Sequence, residues 1–233
     1  IKNDPPLVER LDHLFPQLGL ARINDLLASD SSLYVQNLHP DRRLLLSKFT
    51  LRDAARKVVG VGSVGTRSWI ALFTGKDDAD PLFLQVKEAQ ESVLERFTAP
   101  SVWPTHGERV INGQRLMQAV SDVFLGWEVL EGPDGKHRDY YVRQLRDWKG
   151  SVDLTGLRPD VFSMYASVCA WTLAKAHARA GDRFRIADYL GTTTDFEDQM
   201  VAFSTAYADL TEQDHQLLLQ AVADGRIEAW QGI

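Results

Sequence analysis

Apolar and polar positions change their spacing along the chain, and the N-terminal part has helical spacing. Between residues 7 and 27 one helical face collects Leu7, Leu11, Leu14 and Leu18. This pattern predicts a helix over 7–27, with Pro16 as a candidate break. A second helix is predicted from about Asp41 into the fifties, where it gives way to strand. Residues 1–48 are therefore interpreted as a helical N-terminal segment.

From Lys57 onwards the pattern becomes typical of strands. Lys57-Val58-Val59 predicts a short strand, and residues 68–73 and 82–87, rich in branched and aromatic side chains, predict two more. The polar stretch 74–81 between them has turn chemistry. Together these segments predict an antiparallel meander.

The middle of the chain mixes helices and strands. Helices are predicted over 88–97 and 112–122. Strands are predicted over 124–130 and 139–146, because they flank Gly132-Pro133-Asp134-Gly135, a strong hairpin signal.

Beyond residue 150 the pattern is helical, and no further strand is needed. One helical face carries Phe162, Tyr165, Cys169 and Leu173. Thr194 and Thr211 each begin a capping-box-like pattern, which predicts two helix starts. Between them lies an apolar stripe typical of core, formed by Phe196, Met200, Phe203 and Tyr207. The fold class is thus α+β, with an α+β domain over 49–150 and a helical domain over 151–233.

Composition narrows the function classes. The 26 basic and 32 acidic residues give a net charge of −6, which argues against a broad nucleic-acid surface. No apolar run approaches the ~20 residues of a membrane span, and no signal peptide is recognisable. The single cysteine, Cys169, fits a reducing cytoplasm, and the six histidines lack the spacing of a zinc site. The chain begins at Ile1, so residues are expected to be missing upstream, although processing would look the same.

The strongest chemical motif is a glycine-rich stretch. Gly60-Val61-Gly62-Ser63-Val64-Gly65 matches G-x-G-x-x-G, a pattern shared by two unrelated folds. In a dinucleotide-binding domain the last glycine opens a helix, whereas here a strand is predicted from Ser68. Strand, glycine loop and strand is the arrangement that covers nucleotide phosphates in protein kinases. Gly60, Gly62, Ser63 and Gly65 are therefore predicted to bind phosphate, and a plain tight hairpin is the alternative.

A kinase-like interpretation requires a lysine on the third strand, and Lys87 meets this requirement. Leu82, Leu84 and Val86 fall on one face of the strand, and Lys87 on the other. A charge that closes an apolar strand is costly to bury unless an anion pairs with it, and phosphate oxygens would serve. The alternative is a solvated strand end.

The same interpretation requires a carboxylate that holds the lysine. Glu95 is the favoured candidate on the predicted helix 88–97, and Glu88 and Glu91 stay open.

Polar residues crowd the end of the last predicted strand. Arg143 and Asp147 lie where a kinase-like lobe would lead into the hinge beside the adenine, so both are candidate nucleotide contacts. A salt-bridged strand end is an equally weighted alternative.

Five segments of the chain resemble a bacterial family, domain-of-unknown-function family 2252. They are Lys57–Arg67, Leu84–Ala89, Gly113–Gln118, Tyr141–Gly150 and Ala174–Asp182. The resemblance covers roughly residues 40–225 and is specific for the family, but it implies no settled reaction.

The resemblance implies that this chain is the C-terminal half of a longer protein. The N-terminal half of family members carries a Gly-Asp-x-His-x-x-Asn-type stretch followed by an aspartate-rich strand, which look like a catalytic loop and a metal-binding aspartate. The family would then have a protein-kinase-like fold in permuted order. In this chain no suitable aspartate precedes the asparagines, which are Asn3, Asn24, Asn37 and Asn112. The catalytic residues are therefore unknown.

These observations predict the ATP-binding half of a kinase-like phosphotransferase, with ATP and Mg as cofactors and an unknown phosphoryl acceptor. Self-association or pairing with the missing catalytic half is the expected partner arrangement, without nucleic acid or membrane. The alternatives are a non-catalytic, pseudokinase-like nucleotide-binding or interaction module, and a purely structural domain.

Overall fold

The fold was obtained as a computed structural model, which describes residues 1–16, 19–29, 32–58, 65–132, 134–145 and 150–229. Two compact units make up the chain, Ile1–Ala176 and His177–Ile233. Their division falls within a long helix, α6 (Pro159–Ala180). The first unit is α+β and contains a sheet, and the described part of the second is helical.

A six-stranded antiparallel sheet forms the centre of the first unit. Its strands are β1 (Val8–Arg10), β2 (Thr50–Lys57), β3 (Ser68–Thr74), β4 (Pro81–Glu88), β5 (Gly126–Glu131) and β6 (His137–Gln144). They lie in the order β1-β2-β3-β4-β6-β5, and every neighbouring pair is antiparallel. The predicted meander and the hairpin between β5 and β6 are confirmed. Gly135 ends the hairpin turn with φ of 71°, a conformation that favours glycine.

One face of the sheet packs on the N-terminal helices and forms the core. These helices are α1 (Leu11–Leu14), α2 (Leu20–Leu27), α3 (Leu33–Asn37) and α4 (Pro40–Leu46). Tyr34 and Leu84 are fully buried there, and Glu128 of β5 is buried beside them. The Glu128 carboxylate accepts hydrogen bonds from the Ser32 hydroxyl and the Tyr34 backbone N–H, at 3.0 and 2.9 Å. These bonds fix α3 to the edge strand, because a buried carboxylate needs such donors.

The prediction of one helix over 7–27 is wrong. Val8–Arg10 is a strand that pairs with Ala55–Lys57 of β2, and two separate helices follow it. Helical spacing of leucines did not reveal the strand, because its residues are held by pairing with a segment some 45 positions away.

The strand before the glycine loop also begins earlier than predicted. The helix near Asp41 ends at Leu46, and β2 runs from Thr50 to Lys57. Four charged residues among its eight obscure the apolar pattern, and pairing with β3 stabilises the strand instead.

Helices α7 (Arg183–Leu190) and α8 (Asp195–Ala223) form most of the second unit. The predicted helix start at Thr211 is wrong, because α8 is continuous and the Thr211 hydroxyl donates to the Tyr207 carbonyl four residues before it. The apolar stripe that was expected to be core is largely exposed: Phe203 and Tyr207 are 60% and 58% accessible. Helical periodicity identifies a stripe but does not determine what covers it.

Candidate functional site

Lys87 lies on β4 and faces away from the core. Leu82, Leu84 and Val86 of the same strand are buried in the core, so the alternation predicted for this strand is confirmed. The other face of β4 carries Phe83, Gln85 and Lys87.

Two side chains lie beside Lys87 across the sheet. Lys87 pairs directly with Ser68 on β3 and with Tyr141 on β6, so the three side chains form one row. Ser68 is only 4% accessible, and its hydroxyl has no hydrogen-bond partner among the described residues. The sequence did not reveal Ser68 as a site residue, because a single serine at a strand start carries no periodic signal.

The next row of the same face holds Gln85 and Arg143. The Arg143 guanidinium donates to the Gln85 side-chain oxygen from Nε and Nη2, at 3.2 and 3.1 Å. Within the described part of the chain, Arg143 has no carboxylate partner, so a glutamine rather than a salt bridge orients it. We call these five residues, Ser68, Gln85, Lys87, Tyr141 and Arg143, the Lys87 face.

The Lys87 face carries two cationic side chains, Lys87 and Arg143, next to side chains that are partly or fully buried. Burial raises the pKa of the Tyr141 hydroxyl, and the positive charge of Arg143 opposes this shift. Lys87 and Arg143 place two cationic side chains on this face, and such groups attract anionic ligands.

The glycine loop is described only at its end. Gly60, Gly62 and Ser63 lie outside the described residues, as does Asp147. Gly65 has φ of 82°, and a Cβ atom built there would meet nothing within 4 Å. Its backbone conformation therefore favours glycine, while space would not exclude a side chain. From Gly65 the chain reaches Ser68, so the loop ends beside the Lys87 face.

Glu88, one of the carboxylates left open as a partner of Lys87, lies on the other face of β4. It pairs across the sheet with the buried Tyr140, and its carboxylate accepts two hydrogen bonds from Arg67, from the backbone N–H and from Nη1, both at 3.0 Å. Burial opposes ionisation of Glu88, but the Arg67 bonds outweigh it and lower its pKa. Glu88 thus anchors the segment that follows the glycine loop.

The helix predicted over 88–97 is wrong. Glu88 ends β4, and only Val93–Arg96 is helical, as a short 3₁₀ helix whose first turn is capped by the Ser92 hydroxyl. Glu95 lies on this turn, and its Oε1 atom is 3.8 Å from Nε of Arg109. Both atoms are buried and lack a hydrogen bond to any described residue. The structure thus gives Glu95 an arginine partner that the sequence did not indicate.

Helix α5 (His106–Met117) begins six residues before the predicted helix 112–122. The Thr105 hydroxyl accepts the Glu108 backbone N–H at 3.1 Å, and the Asp139 carboxylate accepts that of His106 at 2.7 Å. Thr105-x-x-Glu108 is a capping-box pattern, a signal in the sequence that would have found this start. Glu108, in the first turn of α5, is thus a further carboxylate that follows β4 in the chain.

Two further properties concern the residues that the structure describes. They contain no group of three or more histidine, cysteine, aspartate or glutamate side chains that could hold a metal ion. None of their helices is long and apolar enough to cross a membrane.

Fold and site together define an α+β protein whose antiparallel sheet packs in the core on one face and carries the Lys87 face on the other. The profile of a bacterial family matches residues 1–221. The chain belongs to this family, which is described as "uncharacterized protein conserved in bacteria" (DUF2252). No curated protein and no solved structure matches the chain.

Proposed function

We propose that this chain contains the nucleotide-binding lobe of a kinase-like phosphotransferase, which holds the phosphates of ATP on the Lys87 face. The observation that carries the proposal is the row formed by Lys87 and Ser68, in which a lysine lies opposite a buried hydroxyl that has no hydrogen-bond partner among the described residues.

A phosphate group would complete this row. A buried hydroxyl without a hydrogen bond costs free energy, and an oxyanion supplies the acceptor that it lacks. The Lys87 ammonium would donate to the same ligand, and Arg143 lies on the same face two residues along β6 from Tyr141. Charge-assisted bonds of this kind are about twice as strong as neutral ones.

The order of elements supports a kinase-like lobe over a dinucleotide-binding domain. The glycine-rich stretch 60–65 lies between strands β2 and β3, the lysine lies on β4, and helix α5 follows. Protein kinases place a glycine-rich loop, a strand lysine and a helix with a carboxylate in this order. A dinucleotide-binding fold would place a helix directly after the last glycine, where this chain has β3.

Each part has a separate role in the proposed site. ATP supplies the phosphoryl group for transfer. Lys87 neutralises phosphate charge, the Ser68 hydroxyl donates to a phosphate oxygen, and the loop glycines allow close backbone approach. No residue of this chain is assigned to the magnesium ion or to a catalytic base. The magnesium ligands and the base would lie in a catalytic half outside the 233 residues.

A non-catalytic interaction module is the second candidate. It is favoured by apolar side chains that are exposed along α6 and α8, among them Phe162, Trp171 and Phe203. Apolar patches of this kind often mark surfaces that bind another protein. Such a module would bind a nucleotide or a partner protein. It would show no phosphotransferase activity, either alone or together with another chain.

Calorimetric titration with Mg-ATP tests the proposed site. Lys87→Met keeps the apolar stem and removes the charge, so it should weaken binding by roughly 1.5–3 kcal/mol, which is about 10- to 150-fold. Lys76→Met is the matched control, because Lys76 lies in the exposed turn between β3 and β4 and should bind ATP as the parent does. Equal affinity of the parent and Lys87→Met would exclude this site.

A further inference from the structure

A polar cavity lies apart from the Lys87 face. It has a volume of about 590 Å³ and is bounded by the end of α3, the start of α4, the last turn of α5 and the loop before β5. Three arginines and one aspartate line it, namely Arg42, Arg43, Arg115 and Asp122. None of the five residues of the Lys87 face contributes to it.

Backbone carbonyls hold two of these arginines in place. Arg43 donates from Nε to the Leu38 carbonyl and from Nη2 to the Gln36 carbonyl, at 2.9 and 2.7 Å. Arg115 donates from Nη2 to the Leu125 carbonyl at 2.8 Å. A guanidinium has five N–H donors, and these bonds use only one or two of them. Each arginine therefore keeps further N–H groups that can bind a ligand. Neither is within 4 Å of a carboxylate oxygen of any residue that the structure covers.

The single aspartate that lines the cavity, Asp122, forms no ion pair with these arginines. Its two carboxylate oxygens accept backbone N–H groups of Phe124 and Gln144, at 2.7 and 3.0 Å. Arg42 has a partner outside the lining, the exposed Asp41, whose Oδ2 lies 3.3 Å from its Nε. Burial lowers the pKa of the Arg115 guanidinium, and no carboxylate of the described residues counters this effect. The cavity therefore holds oriented positive charge that is partly removed from water.

We propose that this cavity binds the phosphoryl group of a small organic phosphate, at a site separate from the proposed nucleotide site. The guanidinium fork matches phosphate geometry, and Arg43 and Arg115, which form no ion pair with a described residue, suit an anionic phosphoryl group. The volume exceeds that of a bare phosphate and falls in the usual range of small-molecule sites, so room remains for the organic part.

The test is a titration of the 233-residue chain with inorganic phosphate at constant ionic strength, followed by ¹⁵N NMR. The backbone amide signals of Leu38 and Leu125 should shift in a saturable manner. Arg42→Gln and Arg115→Gln should each weaken phosphate binding at least about tenfold. The Arg42 side chain forms an ion pair with the exposed Asp41 and no other ion pair with a described residue, so its variant should keep the fold even if Arg115→Gln loosens the Leu125 loop.

Two controls make the outcome decisive. Arg22→Gln removes the same charge from α2, away from the cavity, and should bind phosphate as the parent does. Lys87→Met should also bind phosphate as the parent does. This holds whether the parent binds ATP and the variant loses it, or neither protein binds ATP. Shifts that do not saturate, or that all variants share, would overturn the proposal. Loss of phosphate binding in Lys87→Met, or tighter binding of succinate than of phosphate, would overturn it as well.

Discussion

Ser68 and Lys87 lie directly opposite each other on neighbouring antiparallel strands, and Ser68 brings to this pair a buried hydroxyl without a partner among the described residues. Ser68 follows Gly65, the last glycine of the loop, by three residues, whereas Lys87 is the last residue but one of β4, the next strand along the chain. The pair thus joins the two segments that the proposed phosphate site requires.

Replacing Ser68 by alanine separates binding from stability. In the unliganded chain the substitution removes a buried hydroxyl that has no hydrogen bond to a described residue, so the free energy of unfolding should stay unchanged or rise. Mg-ATP affinity should fall by roughly 0.5–1.5 kcal/mol, the net worth of one hydrogen bond. Urea denaturation and calorimetric titration measure the two effects. A clear loss of stability with unchanged ATP affinity would give Ser68 a purely structural role.

Replacing Gly62 by valine tests the loop predicted from the sequence. If the segment 60–65 covers phosphates, a branched side chain blocks the close approach of its backbone, and Mg-ATP binding should weaken. The thermal unfolding temperature should stay nearly the same. The opposite pattern, a large fall in that temperature at parental ATP affinity, would indicate a structural turn.

Two glycines of α5 should respond to alanine with opposite signs. A Cβ atom at Gly107 would lie 2.5 Å from the Tyr140 carbonyl oxygen, so Gly107→Ala should cost roughly 1–3 kcal/mol of stability through overpacking. At Gly113 the nearest atom is the Met117 methyl at 3.9 Å, so Gly113→Ala should stabilise the helix by about 0.5–1 kcal/mol. Urea denaturation of both variants measures this difference. Similar effects at the two positions would contradict the observed docking of α5 on β5 and β6.

Glu95 and Arg109 should behave as a coupled pair. Their side chains are 13% and 25% accessible, so Glu95→Gln leaves a largely buried guanidinium Nε without its carboxylate. A double-mutant cycle with Arg109→Gln should give a coupling energy of about 0.5–3 kcal/mol in urea denaturation. Strict additivity of the two single substitutions would show that the pair contributes nothing. ATP affinity of Glu95→Gln should fall less than that of Lys87→Met, because Glu95 contacts Arg109.

Phosphoryl transfer requires more than the groups described on the Lys87 face. It depends on positioning and on metal ions that neutralise developing charge, together with a base that orients the acceptor. We expect the 233-residue chain alone to show no phosphotransferase activity above background in a radiolabelled-ATP assay. Addition of a catalytic half should restore turnover. Turnover by the short chain that Lys87→Met abolishes would refute the division of the site between two halves.

Local patterns in the sequence were sufficient for the parts of the fold that depend on neighbouring residues. The alternation along residues 82–87 predicted both the strand and the face of Lys87, because successive side chains of a strand point to opposite faces. The turn at Gly132–Gly135 predicted the β5–β6 hairpin, because its residues favour a reversal wherever they occur. Family membership followed from similar short segments.

The tertiary structure alone decided which distant segments meet. Strand β1 exists because Val8–Arg10 pairs with the end of β2, and Glu95 is paired because α5 brings Arg109 to it. Burial of Ser68 and convergence of Arg43 with Arg115 likewise depend on the packing of segments far apart in the chain. Side-chain periodicity records which face of an element is apolar, but the free energy of burying that face is set by whatever element packs against it.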